Sequence, residues 1–252
     1  MGKILNALPT FIIIGTIKSG TSGLYRTMIK HSKIKGARNN KKELVYLQSK
    51  RYQKNLQNYR QYFFPCKEGE ITGEATPSYI LYEKVAQRLK FSLPNIKLIV
   101  LLRNPVIRAY SQYYHAVRNV NRGIYPKIVS FDELIEKELQ GKTPYPKHMG
   151  KHLIKRGIYV TQLEMWYKYF SKNQIMIIKS EEYFNNPQKI LKEVYKFVGV
   201  PYEYVEVYNP EKRIYPKSMN PQIQQKLKKY FVQYNERLYQ LIERDMEWEN
   251  EI

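Results

Sequence analysis

Phe11-Ile-Ile-Ile-Gly-Thr-Ile-Lys-Ser-Gly-Thr-Ser22 decides the fold. Its opening apolar run reads as a strand buried on both faces. Gly15 and Gly20 bracket a loop, and the residues after Gly20 open a helix. A strand that turns through glycine into a helix N-terminus aims backbone N–H groups at an anion, phosphate above all. The loop departs at one position from the nucleoside-triphosphate pattern G-x-x-x-x-G-K-[ST]. Gly15 and Gly20 keep the spacing and Ser22 keeps the hydroxyl. Thr21 stands at the lysine position, and the lysine has moved to Lys18. A relocated cation points to a phosphate-bearing substrate whose reacting end differs from that of ATP.

Outward from this stretch, short apolar runs alternate with longer helical patterns. Strands are expected at Thr10–Gly15, Lys33–Ala37, Glu70–Glu74, Lys97–Leu102 and Gln174–Lys179. Helices are expected at Gly20–Lys30, Glu83–Phe91, Pro105–Val117, Ser130–Leu139, Val160–Phe170 and Pro187–Val198, followed by a C-terminal pair, Pro221–Gln233 and Asn235–Glu243. Continuous apolar strands separated by helices predict an α/β fold with a central parallel sheet flanked by helices. Such a sheet binds ligands beyond the carboxyl ends of its strands. There lie the loop Gly15–Ser22, the segment after Ala37, Glu74 and Arg103. Gly141–Gly157, rich in Pro, Gly and Lys, is a candidate loop over a site.

The chain of 252 residues is long enough for a full core, and one domain over residues 1–252 is the expectation. Forty-three Lys and Arg against 22 Asp and Glu give a net charge of +21. An excess of that size suits a polyanionic partner or surface, although part of it is ordinary solvated charge. Cys66 is the one cysteine, so no intrachain disulfide forms, and a reducing compartment fits. Met1–Pro9 carries one lysine and no extended apolar core, and Phe11–Ile14 is far too short to span a bilayer. A cytoplasmic place, at most peripheral to a membrane, is therefore expected. Oligomeric state is not legible.

Four groups of residues carry chemistry. In the loop, Ser19, Gly20, Thr21 and Ser22 would hold a phosphate at the helix start, and Lys18 would reach the bridging oxygen as a point charge. In Leu98-Ile-Val-Leu-Leu-Arg-Asn-Pro-Val-Ile-Arg-Ala-Tyr-Ser111 a buried strand ends in Arg103, where a metal-dependent nucleotide enzyme commonly places an aspartate. A fixed cation attracts an anion directly, and Arg103 with Ser111 can grip one phosphate. In Lys41-Lys-Glu-Leu-Val-Tyr-Leu47 the carboxylate of Glu43 fits a general base for an acceptor, or equally a solvated surface glutamate. In Pro210-Glu-Lys-Arg-Ile-Tyr-Pro216, Lys212 and Arg213 can close over an anion, or form an ordinary charged loop. His31, His115, His148 and His152 show no metal-ligand spacing, and no metal is expected.

The loop and the Arg103–Ser111 pair, about ninety residues apart and in that order, together resemble the sulfotransferase superfamily, whose members use 3′-phosphoadenosine 5′-phosphosulfate (PAPS). Glu43, Gly73-Glu-Ala-Thr-Pro-Ser-Tyr79, Gly157-Ile-Tyr159 and the tail from Arg213 to Trp248 are similar to the heparan sulfate N- and O-sulfotransferase branch, in a bacterial form. Ala75 stands where animal members often carry lysine. The resemblance implies a P-loop-like three-layer fold and sulfuryl transfer from PAPS, with adenosine 3′,5′-bisphosphate as product. It implies that Lys18, Ser19, Gly20, Thr21 and Ser22 hold the 5′-phosphosulfate, and that Arg103 and Ser111, with Lys212 and Arg213, hold the 3′-phosphate. Glu43 becomes the general base and Lys18 the leaving-oxygen cation. The implied acceptor is an acidic or hydroxyl-rich saccharide, met by Glu43, Tyr79, Lys147, His148 and Lys151. Two other readings stand beside this one. A small-molecule or nucleotide kinase would show Mg²⁺-dependent ATP turnover, and a non-catalytic polyanion-binding module would show steep salt dependence. No nucleic-acid-binding motif accompanies the charge, so no specific nucleic acid partner is expected.

Overall fold

A computed structural model describes residues 7–124, 128–142, 152–208 and 217–250. Five strands form one sheet: β1 (Phe11–Gly15), β2 (Ile34–Lys35), β3 (Ile71–Ala75), β4 (Lys97–Leu102) and β5 (Ile175–Lys179). Their order is β2-β3-β1-β4-β5, and every pairing is parallel. β1 is central, with Ile12 opposite Glu74 on one side and Leu98 on the other. The helices are α1 (Thr21–Met28), α2 (Gln57–Arg60), α3 (Glu83–Ser92), α4 (Pro105–Asn121), α5 (Phe131–Leu139), α6 (Tyr159–Tyr167), α7 (Ser180–Asn185), α8 (Pro187–Val198) and α9 (Pro221–Ile242).

The described residues group into two compact units. The first draws on Met1–Leu102 and Leu163–Glu211, the second on Arg103–Gln162 and Lys212–Ile252. The whole sheet belongs to the first. Residues alternate between the faces of a strand. Phe11, Ile13, Ile99 and Leu101 therefore share one face, where they pack with Leu24 and Met28 of α1 and Leu191 and Val194 of α8. Ile12, Ile14, Leu98, Val100 and Leu102 take the opposite face and are equally buried. Burial on both faces is the state that continuous apolar strands predict, with helices on each side as outer layers.

Gly73 of β3 is dictated by its neighbour. A Cβ there would lie 2.5 Å from the Phe11 ring, too close for any side chain. Pro187 opens α8 and Asn186 caps it, while Gly199 closes it at φ +88°. These choices satisfy the helix termini in the usual way.

The second unit has a separate core of Val106, Ala109, Tyr114, Phe131, Ile135, Leu227 and Phe231, among others. Asn104 caps α4, its side chain accepting from Val106 and Ile107 N–H groups, with Pro105 as the first helical residue. Buried Glu138 on α5 accepts from the backbone N–H groups of Leu153, Ile154 and Lys155, which fixes that turn. The expected C-terminal helix pair is instead one helix, α9. Asn235, expected to start the second helix, is buried inside the single one, and its amide donates to Glu249 at 3.0 Å. Among the described residues, no helix is long and apolar enough to cross a membrane.

Candidate active site

β1 ends at Gly15, and the chain turns through residues 16–20 into α1. Thr16 fastens the turn to the neighbouring strand. Its N–H and its hydroxyl both donate to the Leu101 carbonyl, each at 2.9 Å. The hydroxyls of Thr16 and Ser19 are 2.5 Å apart, and Ser180 donates to the Ser19 carbonyl at 2.9 Å. Ser19 is thus turned into the protein and has no exposed surface. Lys18 adopts φ +72° and is half-buried.

Gly20 is the N-cap of α1 at φ +90°, a left-handed conformation that costs glycine little and other residues much. Among the described residues, no side-chain cap closes the start of the helix. The first N–H groups of an α-helix have no intrahelical partner, and here they include those of Thr21 and Ser22. Thr21 is buried, and Ser22 is exposed at the helix start. A cradle of uncapped N–H groups, a glycine with no side chain in the way and a nearby lysine fits a phosphate or phosphosulfate.

Glu43 is not on a helix. It sits at φ +60° in an irregular loop, with its side chain 54% exposed. Its N–H donates to the carbonyl of Ala75 at 3.0 Å, at the carboxyl end of β3. β3 lies beside β1 in the sheet, so the Glu43 loop, tied to the end of β3, and the Gly15–Ser22 loop, which follows β1, lie at adjacent strand ends. Lys42 links the two loops. Its ammonium donates to the Ser22 hydroxyl and lies 3.2 Å from a Glu43 carboxylate oxygen. Burial pushes the Lys42 ammonium below the ordinary lysine value; Glu43 opposes that shift and Arg26 adds to it. The sequence marked Lys42 only as a charged neighbour of Glu43. Its reach to Ser22, twenty residues away, leaves no local pattern.

Beneath the loop lies Glu74, wholly buried. Thr76 donates to one carboxylate oxygen at 2.5 Å, and Tyr59 and Tyr79 donate to the other, Tyr79 at 3.3 Å. Burial pushes the Glu74 carboxyl up; the three hydroxyls and the Leu44 N–H pull against it. Tyr79 also accepts from the Leu47 N–H at 3.1 Å. It was expected at an acceptor surface, yet it has no exposed surface and braces the Glu43 loop from below.

In the second unit, Arg103 directly follows β4 and is half-buried, and its carbonyl accepts from the Tyr159 hydroxyl at 2.8 Å. Ser111 is buried on α4, seven residues after the cap Asn104 and so on the same helix face. Lys147, His148, Lys151, Lys212 and Arg213 lie outside the described residues.

The family model described as sulfotransferase domain matches residues 8–241. The chain belongs to the sulfotransferase family. It is similar to membrane-associated sulfotransferase kil1 of Dictyostelium discoideum, 29% identical, over 99% of this chain and 68% of that one. It is also similar to mouse heparan sulfate glucosamine 3-O-sulfotransferase 5, 26% identical, over 97% of this chain and 75% of that one. Matches to bifunctional heparan sulfate N-deacetylase/N-sulfotransferases cover about a quarter of those longer proteins, 25% for the mouse form 4. Among solved structures, a sulfotransferase from Alicyclobacillus acidocaldarius matches with TM-score 0.78 and 27% identity, over 96% of this chain and 99% of that one. The sulfotransferase thus carries the P-loop-like fold expected, and belongs beside the heparan sulfate branch. It transfers a sulfur-containing group, which sets aside the kinase and the non-catalytic module.

Proposed function

We propose that this sulfotransferase moves the sulfuryl group of PAPS to a hydroxyl or amine of a saccharide. The observation that carries the reading is the Lys42 side chain joining Ser22 to Glu43, because it brings a carboxylate base to the mouth of the anion loop. The N–H groups at the start of α1 and the Ser22 hydroxyl take the 5′-phosphate of the donor. Lys18 meets the oxygen that bridges phosphorus and sulfur. Arg103 and Ser111, with Lys212 and Arg213, take the 3′-phosphate.

Transfer breaks the sulfur–oxygen bond to the 5′-phosphate and forms one from sulfur to the acceptor oxygen or nitrogen. The acceptor proton passes to Glu43, which is exposed enough to meet it. The electron pair of the broken bond stays on the 5′-phosphate oxygen, where Lys18 stabilises it. Holding both reactants in line supplies much of the remaining acceleration. A saccharide acceptor is supported by the named heparan sulfate relatives and by the +21 charge, which draws acidic glycans.

The test is transfer of label from [³⁵S]PAPS across a panel of glycans, with lipids and phenols as controls. Label on a glycan, abolished by Lys18→Ala, is the expected result. Label on lipids or phenols alone overturns the saccharide assignment, and no label with an equally inert Lys18→Ala chain overturns the donor assignment.

A further inference from the structure

Lys42 occupies an electrostatically awkward place. Its side chain is 17% exposed, so the ammonium has lost much of its water. It sits on the hydroxyl of Ser22, the second residue of α1, at the positive end of the helix dipole. Arg26, one turn further along α1, repels it. Among the described residues Glu43, at 3.2 Å, answers the charge, and Glu43 is itself more than half exposed. A lysine held against a dipole and a second cation is poorly stabilised until an anion reaches the loop. An anion there would meet the helix N–H groups with the Lys42 ammonium close by, on the Ser22 hydroxyl.

We infer that Lys42 is a shared cation, which binds the phosphosulfate end of the donor and at the same time holds the Glu43 carboxylate toward it. This rests on the reading that the Gly15–Ser22 loop receives PAPS. Lys42 thereby links loading of the donor to placement of the base. Glu43 and the donor anion draw on one ammonium, so removing the Glu43 charge should tighten donor binding through Lys42.

The experiment is calorimetric titration of the full chain with adenosine 3′,5′-bisphosphate, on wild type, Lys42→Met, Lys42→Arg, Glu43→Gln and the Lys42→Met/Glu43→Gln double variant. Methionine keeps the length and apolar stem of lysine and removes the charge. Lys42→Met is expected to weaken binding about tenfold, the size of a lost charge-assisted hydrogen bond. Lys42→Arg should restore affinity to within about threefold of wild type, a rescue that a packing role alone would not give. Glu43→Gln should tighten binding in the wild-type background and leave it unchanged in Lys42→Met.

Wild-type binding with unchanged affinity in Lys42→Met overturns the role of Lys42 and leaves the donor reading standing. Equal effects of Glu43→Gln in both backgrounds overturn the sharing. A wild-type chain that does not bind overturns the donor reading and this inference together.

Discussion

Two loops meet at Ser22, and they are held by different means. The Gly15–Ser22 loop is tied to its own sheet, through Thr16 to the Leu101 carbonyl and through Ser180 to the Ser19 carbonyl. The Lys41–Leu47 loop has little regular structure and rests on buried side chains. Glu74 takes the Leu44 N–H, Tyr79 takes the Leu47 N–H, and Arg88 donates to the Leu47 carbonyl at 2.6 Å. The anion loop is therefore rigid by topology. The base loop is placed by a polar network that must stay fully satisfied. The difference predicts that side-chain truncation in the first loop costs activity at nearly unchanged stability, whereas variants beneath the second cost both.

Lys18→Ala should produce the largest effect, a fall in sulfuryl transfer of about 10²–10³-fold, the scale of losing one group that stabilises a developing oxyanion. Its thermal midpoint should stay near wild type. A large loss of stability would mean that Lys18 holds the loop and does not serve the reaction.

Glu74→Ala comes next. It strips a buried acceptor from three hydroxyls and one peptide N–H, and should cost about 3 kcal/mol in denaturant melts. Glu74→Gln keeps an acceptor and the shape, and should cost less than about 1.5 kcal/mol. The pair also separates in pH. The native state raises the Glu74 carboxyl above its ordinary 4.5, so it binds the proton more tightly than the unfolded chain does. Stability from this group is then greatest below about pH 4.5 and declines as pH rises through the raised native value. The stability difference between wild type and Glu74→Gln should follow that decline. A difference flat from pH 4 to 8 would show that folding leaves the Glu74 carboxyl unshifted.

Gly20→Ala forces a side chain into φ +90° with its Cβ 2.7 Å from a Phe184 ring carbon. Phe184 is half exposed and can yield, so the backbone term dominates, about 1–2 kcal/mol. Affinity for adenosine 3′,5′-bisphosphate should drop more than stability does. Tyr79→Phe is expected to show the smallest change, about 1 kcal/mol, from the unpaired Leu47 N–H. If it leaves both stability and transfer untouched, the base loop does not depend on the network below it.

The same contrast explains what could be read from sequence. β1 and β4 were legible because each is a continuous apolar run buried on both faces, β5 because Ile175-Met-Ile-Ile178 is one apolar run, and the glycines at 15 and 20 mark the anion loop directly. Pro187 and Gly199 fix α8 just as locally. Glu43 was legible as a residue, but its left-handed loop conformation was not, because it follows from Glu74, Tyr59 and Tyr79 on other segments. Tyr79 looked like an acceptor contact because nothing in Thr76-Pro-Ser-Tyr79 shows that its hydroxyl turns inward. Asn235 resembled the start of a new helix for the same reason, its partner Glu249 being invisible to a local pattern.

The proposed reaction rests on Glu43 as the base beside a loop that receives PAPS. The most direct measurement follows Glu43→Gln with two readouts on one preparation, binding of adenosine 3′,5′-bisphosphate and [³⁵S]PAPS transfer to the glycan that wild type labels. Binding at least as tight as wild type is expected, with transfer reduced by about 10²-fold or more. Transfer at the wild-type rate with intact binding would contradict it.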